Sequence, residues 1–260
     1  MKSKEIITKY LIGTFSLTFF MWGIILLFNQ YGYLKMGSIG YWLIYCIGGL
    51  ASTFFGAYLS IKSGKVGNLI NLVKETFNIK QNIKYYGLVF VFFTMTFFLF
   101  NKTEIKMPLY LILPIIVKMI FFGGLEEIGW RYTFQPALEK HIPFSLASII
   151  TGILWAFWHL PLFFMDGMNK GMDFGLFIPS VIAMSFMLGA IYRLSNSLWL
   201  CVFFHAIINA FSQVLVSESG SQDDLTISII SAGIKIICVI VIININNERI
   251  IKNKNGLDLA

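Results

Sequence analysis

The feature that most limits how this chain can fold is a series of long apolar runs that follow one another from end to end. A run of about 17–25 apolar residues is long enough for an α-helix to cross a bilayer. The chain has 260 residues, of which 57% are hydrophobic and 13% charged, which excludes an ordinary water-soluble domain. We count eight candidate spans: 10–28, 41–61, 85–100, 109–135, 144–163, 174–192, 197–216 and 227–244. The sequence therefore predicts an all-α membrane protein, a polytopic bundle of about eight transmembrane helices, in a single domain over residues 1–260.

The distribution of basic residues predicts the orientation in the membrane. If the N-terminus is cytoplasmic, fourteen of the 20 lysines and arginines fall on the cytoplasmic side and four on the other. Such an excess is typical of cytoplasmic loops, so we expect both termini inside a cell membrane. The net charge of +7 follows this membrane pattern, and we expect lipids rather than nucleic acid as partners. Many Ile, Asn and Lys residues indicate a bacterial plasma membrane.

Three short polar clusters interrupt the apolar runs, and the first contains two adjacent carboxylates. Glu127 and Arg131 are four residues apart with the acid first, the favourable order for a helical ion pair. Glu126 lies about 100° around the helix from Glu127 and points elsewhere. One carboxylate is then occupied structurally and the other is free for chemistry. Gly123 and Gly124, just upstream, permit a close helix approach or a local distortion.

The other two clusters lie on the fifth and seventh predicted spans. Trp155 and His159 are four residues apart, and His205 and Asn209 repeat that spacing. Each pair therefore projects from one face of its helix. Counting residues along the helices from their predicted cytoplasmic ends places all three clusters at depths in the membrane at which their side chains can meet. Ionisable groups inside a membrane are rare and usually functional, although a single membrane histidine is more often a packing residue than a catalyst.

The ordered set of motifs resembles the CPBP family, which comprises CAAX proteases and bacteriocin-processing enzymes and is also called the ABI family. The resemblance covers roughly residues 80–215, a motif-bearing core, and the motifs are EEIGWR from residue 126, WAFWH from residue 155 and HAIIN from residue 205. It implies an intramembrane endopeptidase acting on peptides or membrane proteins near the cytoplasmic face. Glu126 is then the general base that activates water, with His159 helping to hold that water.

The resemblance also implies the remaining roles. His205 and Asn209 would bind the developing oxyanion, and Glu127 with Arg131 would brace the site. Whether a metal takes part stays open. Glu126, His159 and His205 supply one carboxylate and two imidazoles, a set that can hold a catalytic divalent metal such as zinc. There is no HExxH motif, the same groups can act without any cofactor as a glutamate-type protease, and we favour the metal-free form.

Two other functions use the same polar residues. A proton- or ion-coupled transporter would spread polar groups through the bilayer and often contain an internal repeat, and neither is evident in the sequence. A non-catalytic membrane scaffold or bacteriocin immunity protein would not need complete motifs. The protease is therefore the leading hypothesis.

Overall fold

The computed structural model of this chain describes residues 1–99, 103–105, 107–166, 168, 173–217 and 225–257. Helices dominate it, which confirms the all-α prediction. The α-helices, in chain order, are α1 (Ser3–Gln30), α2 (Ile39–Gly49), α3 (Ala51–Lys62), α4 (Leu69–Thr76), α5 (Ile83–Phe98), α6 (Ile112–Phe121), α7 (Gln135–Glu139), α8 (Phe144–Trp158), α9 (Phe174–Ser195), α10 (Leu198–Val214) and α11 (Leu225–Leu257). Two short strands, β1 (Thr103–Ile105) and β2 (Leu215–Ser217), pair antiparallel.

Five segments of the described chain are long and apolar enough to cross a membrane. They are Ser3–Gln30, Ile39–Lys62, Phe144–Phe164, Phe174–Ser195 and Leu225–Asn247. The apolar helices α5 and α10 are shorter. A polytopic membrane protein is thus confirmed, whereas the count of eight spans is not. The predicted end of the third span at residue 100 lies outside the described residues.

The fourth predicted span, residues 109–135, is wrong as a continuous helix. Its pieces are a 3₁₀ turn (Leu109–Leu111), α6, a second 3₁₀ turn (Gly124–Glu126), a π-helix (Ile128–Phe134) and the start of α7. Glycine is the weakest helix former after proline, and α6 ends just before Gly123 and Gly124. We call the stretch from Gly124 to Phe134 the π segment.

Hydroxyl groups from α3 stabilise the break. Ser52 donates a hydrogen bond from Oγ to the carbonyl oxygen of Glu126 (2.9 Å), and Thr53 donates from Oγ1 to that of Leu125 (2.9 Å). Irregular backbone at membrane depth is tolerated only where other groups satisfy its polar atoms. The two hydroxyls meet this requirement for carbonyls that a regular helix would pair internally.

Helix α3 also touches the backbone of the π segment. A Cβ atom added to Gly56 would lie 2.5 Å from the Cα atom of Gly129, and one added to Gly129 would lie 2.4 Å from the hydroxyl oxygen of Tyr10. Tyr10, from α1, is fully buried and its ring stacks at 5.2 Å on that of Phe134. The first two apolar segments therefore hold the irregular segment from both sides.

The remaining helices complete the bundle. Helix α9 packs against α8 and α11, and α10 packs against α6. Helix α8 ends at Trp158, and a 3₁₀ turn (Leu160–Phe164) follows. Pro161 lacks a backbone N–H and disfavours the α conformation at the residue before it, which explains the end of the helix. His159 therefore sits at the C-terminal end of α8, inside the apolar segment Phe144–Phe164.

Candidate active site

The three polar clusters converge at the π segment. The indole Nε1 of Trp155 donates a hydrogen bond to Glu126 Oε2 (3.1 Å), which joins α8 to the second 3₁₀ turn. Glu127 Oε1 lies 2.8 Å from His205 Nδ1, which joins the π segment to α10. Both carboxylates are buried. Adjacent residues thus point toward different helices, as the sequence predicted.

Trp155 occupies the centre of this arrangement. Its ring centroid lies 5.6 Å from that of His159 and 5.2 Å from that of His205. The guanidinium carbon of Arg131 lies 4.7 Å from the same ring, in cation–π geometry. Sequence reasoning placed Trp155 on the His159 face but gave it no role. The indole is a donor that only the fold brings to Glu126.

Glu127 has two partners, of which the sequence predicted one. Its Oε2 atom lies 3.5 Å from Arg131 Nε, which is the predicted ion pair. Its Oε1 atom faces His205, a contact that sequence reasoning missed because 78 residues separate the two. The side chains of Glu127 and Arg131 are fully buried. A buried charge needs a partner of opposite sign, and each of these has one.

His205 and Asn209 present their free nitrogens to the same point. A Cβ atom added to Gly123 would lie 2.5 Å from Asn209 Nδ2 and 3.3 Å from His205 Nε2. The carbonyl oxygen of Met119 is 3.5 Å from that position. The space beside Gly123 is therefore bordered by two side-chain nitrogens from successive turns of α10.

His159 is oriented by its own helix. Its Nδ1 atom lies 2.8 Å from the carbonyl oxygen of Trp155. A carbonyl oxygen only accepts, so Nδ1 carries the hydrogen and Nε2 carries the lone pair in the neutral ring. The rings of Trp158 and Phe177 lie 4.7 Å and 5.6 Å from the imidazole and limit its movement. His159 thus offers a basic nitrogen held in one orientation.

Two comparisons with known proteins cover the part of the chain that contains these side chains. The model for the family described as "Type II CAAX prenyl endopeptidase Rce1-like" matches residues 108–211, a range that contains all three clusters. CAAX prenyl protease 2 of the archaeon Methanococcus maripaludis is 24% identical over 240 residues, covering 82% of this chain and 86% of that protein. Both matches support the CAAX protease (CPBP) family as the family that this chain resembles. They also support a membrane protease of the CAAX type.

Hydroxyl groups outside the motifs contact the irregular backbone beside these clusters. The Tyr10 hydroxyl oxygen lies 2.7 Å from Ser52 Oγ, which donates in turn to the carbonyl oxygen of Glu126. Neither residue was a candidate from the sequence. Ser52 lies one helical turn before Gly56, and small or hydroxyl residues at that spacing are typical of close helix contacts in membranes. That spacing is the signal that could have identified them.

The sequence left open a metal held by Glu126, His159 and His205. Hydrogen bonds engage the Nδ1 atoms of His159 and His205 and one oxygen of Glu126, and these contacts leave the Nε2 atoms and the second oxygen for a ligand. Across the residues that the structure describes, however, no three His, Cys, Asp or Glu side chains are placed to hold a metal ion together. As arranged, the three side chains therefore do not fit a metal.

Proposed function

We propose that this chain is an intramembrane endopeptidase in which Glu126 activates the hydrolytic water without a metal ion. The proposal rests on the different partners of the two adjacent carboxylates. Glu127 is engaged by His205 and Arg131, whereas in the described part of the chain Glu126 has one side-chain donor, Trp155, at one oxygen. Glu126 therefore keeps lone pairs that can take a proton from water.

The proposed first step is proton transfer and attack. Glu126 accepts one proton from water as the water oxygen bonds to the carbonyl carbon of the substrate. His159, with its lone pair on Nε2, holds the second hydrogen of that water by accepting a hydrogen bond. The indole of Trp155 fixes the carboxylate of Glu126 in the required orientation.

The second part of the proposed mechanism is stabilisation of the oxyanion by His205 and Asn209. The negative oxygen formed by attack would lie beside Gly123, where Asn209 Nδ2 donates. His205 donates from Nε2 as an imidazolium that is paired through Nδ1 with the carboxylate of Glu127. Such preorganised donors contribute about 10²–10³ to turnover for each donor in comparable sites. Collapse breaks the C–N bond, and Glu126 returns its proton to the leaving amine.

Glu127 and Arg131 are proposed to hold this arrangement rather than to react. Glu127 orients the imidazole of His205, and Arg131 compensates the second oxygen of Glu127. Removing one member of a buried ion pair leaves an uncompensated charge, which costs about 3–5 kcal/mol. We expect Glu127→Gln and Arg131→Met to lower the amount of folded protein as well as activity.

The proposed substrates are peptides or membrane-associated proteins cleaved near the cytoplasmic face. The relative is named for a CAAX prenyl substrate, and a C-terminal lipidated peptide is one member of this class. Both termini of the chain are proposed to be cytoplasmic, in the cell membrane of a bacterium. The charge distribution along the sequence supports that orientation.

The first test compares peptide N-termini in membranes that contain the wild type or Glu126→Gln at matched levels. We expect the variant to lose a discrete set of cleavages and to remain folded, because Glu127 and Arg131 are unchanged. The matched control is Glu5→Gln, which alters an exposed Lys9 pair and should keep every cleavage. Identical N-termini with folded Glu126→Gln protein would contradict the proposed base and favour transport or scaffolding.

The metal-free mechanism has its own test. We expect purified enzyme to retain cleavage after dialysis against a strong chelator and to carry less than stoichiometric zinc by elemental analysis. Loss of activity on chelation with recovery on adding zinc would overturn it. His205→Ala and Asn209→Ala should each lower kcat, and the double variant should lose less than the product of the two because both serve one oxyanion.

A further inference from the structure

A stripe of buried polar residues continues from the site along the chain. Glu127, Arg131, Gln135 and Glu139 are spaced four apart, three of them are almost fully buried, and only the first two belong to the motif. Gln135 donates from Nε2 to Glu139 Oε1 (3.1 Å), and Arg193 donates to Glu139 Oε2 (2.9 Å). The side chain of Arg193 is 41% exposed, so the stripe reaches solvent at that end.

Several polar atoms along this stripe have no hydrogen-bond partner in the described part of the chain. All three guanidinium nitrogens of Arg131, the Oε1 atom of Gln135 and the hydroxyl of Thr151 lack hydrogen bonds. So does Glu127 Oε2, which faces Arg131 only at ion-pair distance. A buried polar atom without a partner costs about 1–3 kcal/mol, and more when it is charged. So many in one place indicate a ligand.

Contacts place these atoms along the facing sides of α8 and of the π segment with α7. Gln135 donates to Ser148 Oγ on α8 (3.1 Å). Thr151 lies one helical turn beyond Ser148, and Trp155 lies one turn beyond Thr151. The ring of Trp155 stacks on Arg131, four residues before Gln135. Thr151 therefore faces the interval between Arg131 and Gln135.

The chemistry of the unpartnered atoms identifies the ligand. Arg131 offers only donors, Gln135 Oε1 and Glu127 Oε2 offer only acceptors, and the Thr151 hydroxyl is both. An anion would satisfy the arginine but repel the acceptors, and a cation would do the reverse. Water donates and accepts, and buried water typically makes about three such bonds.

We infer that Glu127, Arg131, Gln135 and Thr151 bind a buried column of water that joins the active site to the membrane surface at Glu139 and Arg193. At its inner end the column meets Glu127 and Trp155, which position His205 and Glu126. A hydrolase in a membrane consumes one water in each turnover, and this column would supply it. This role of the column rests on the proposed function.

The test that does not depend on activity is an experimental structure of the full-length wild type at about 2 Å, a resolution that shows ordered water. We expect discrete density within hydrogen-bond distance of Arg131, Gln135 Oε1 and Thr151 Oγ1. Direct donation from Arg131 to protein acceptors in place of that density would overturn the column. Density for a bound anion would overturn the assignment to water.

The kinetic test uses Gln135→Met and Thr151→Val, which keep volume but remove polar atoms facing the column. We expect each to lower kcat roughly tenfold, with KM within about twofold, because each removes a water-mediated bond near a charged group. The matched control is Thr76→Val, since the buried Thr76 hydroxyl already donates to the Leu72 carbonyl oxygen; its kcat should not change.

Unchanged kcat in both column variants would refute the supply of water by this route, whatever the density shows. Glu126→Gln separates the two proposals. Loss of cleavage in Glu126→Gln with full cleavage in Gln135→Met would leave the protease intact and remove only the column. Ordered water in a folded protein that cleaves no peptide would support the column and contradict the proposed protease.

Discussion

At the residue scale, Gly123 matters because of the side chain it lacks. Any Cβ atom there would crowd Asn209 Nδ2 at 2.5 Å and enter the space proposed for the oxyanion. We expect Gly123→Ala to reduce kcat by about 10²-fold, the effect of losing one oxyanion donor, with a smaller change in KM. Cleavage of a quenched peptide in detergent measures both constants.

The control for this prediction is Gly23→Ala on α1, where an added Cβ atom meets no other atom within 4 Å. Alanine replaces glycine without strain in a helix interior and should leave both constants unchanged. Wild-type turnover in Gly123→Ala would show that the oxyanion lies elsewhere.

Trp155 is the second residue to which the proposed mechanism gives a specific role. Trp155→Phe keeps an aromatic ring beside His159, His205 and Arg131 but removes the hydrogen bond to Glu126. We expect kcat to fall roughly tenfold, because a hydrogen bond to a charged group contributes about 1.5–3 kcal/mol. The measurement is kcat together with the thermal unfolding midpoint.

Trp158→Phe is the matched control for that substitution. Its indole donates to Thr18 Oγ1 (2.7 Å), so the variant loses a buried indole hydrogen bond to a neutral acceptor and keeps an aromatic ring beside His159. Both variants should lose stability, and only Trp155→Phe should lose most of its turnover. Equal turnover in the two would contradict the role of Trp155 in orienting Glu126.

At the scale of elements, the contact of α3 with the π segment is the least tolerant of change. A Cβ atom on Gly56 would meet the backbone of Gly129, which cannot rotate away. Overpacking of this kind costs about 1–3 kcal/mol. We therefore expect Gly56→Ala to lower the unfolding midpoint and cleavage together, measured by fluorescence thermal melts and peptide hydrolysis.

Gly87→Ala on α5 is the control, since nothing lies within 4 Å of its added Cβ atom. It should match or exceed wild-type stability. A wild-type midpoint in Gly56→Ala would mean that α3 and the π segment can separate without cost. The active site would then not depend on that contact.

At the scale of the whole molecule, the proposed orientation is testable without activity. With both termini cytoplasmic, single cysteines introduced at Lys2 and Lys140 should resist a membrane-impermeant thiol reagent in intact cells. A cysteine at Lys35, between the first two segments, should react. The background is a variant without Cys46, Cys201 and Cys238, which are the three native cysteines. Reversed labelling would overturn the orientation and the cytoplasmic cleavage site.

Sequence by itself determined the class of the protein and indicated the candidate residues of the site. The length and low polarity of the apolar runs indicate a helical membrane protein. Because water is absent from the bilayer core, a segment that crosses it must pair its own backbone N–H and C=O groups, as a helix does. The motifs at residues 126–131, 155–159 and 205–209 lie at helical spacing. That spacing places Trp155 with His159 and His205 with Asn209 on one helix face each, whereas residues 126–131 span the second 3₁₀ turn and the start of the π-helix.

Only the tertiary structure decided how those side chains pair. The fourth span breaks because hydroxyls of α3, more than seventy residues earlier, satisfy its carbonyl oxygens. Glu127 faces His205, and Trp155 faces Glu126, through contacts between helices that no periodicity encodes. Nothing in the sequence distinguishes Gln135 and Glu139 from other helix residues. In the fold their polar atoms depend on side chains of neighbouring helices. Helical spacing is a local property, whereas the partner of a buried polar group depends on which helices pack together.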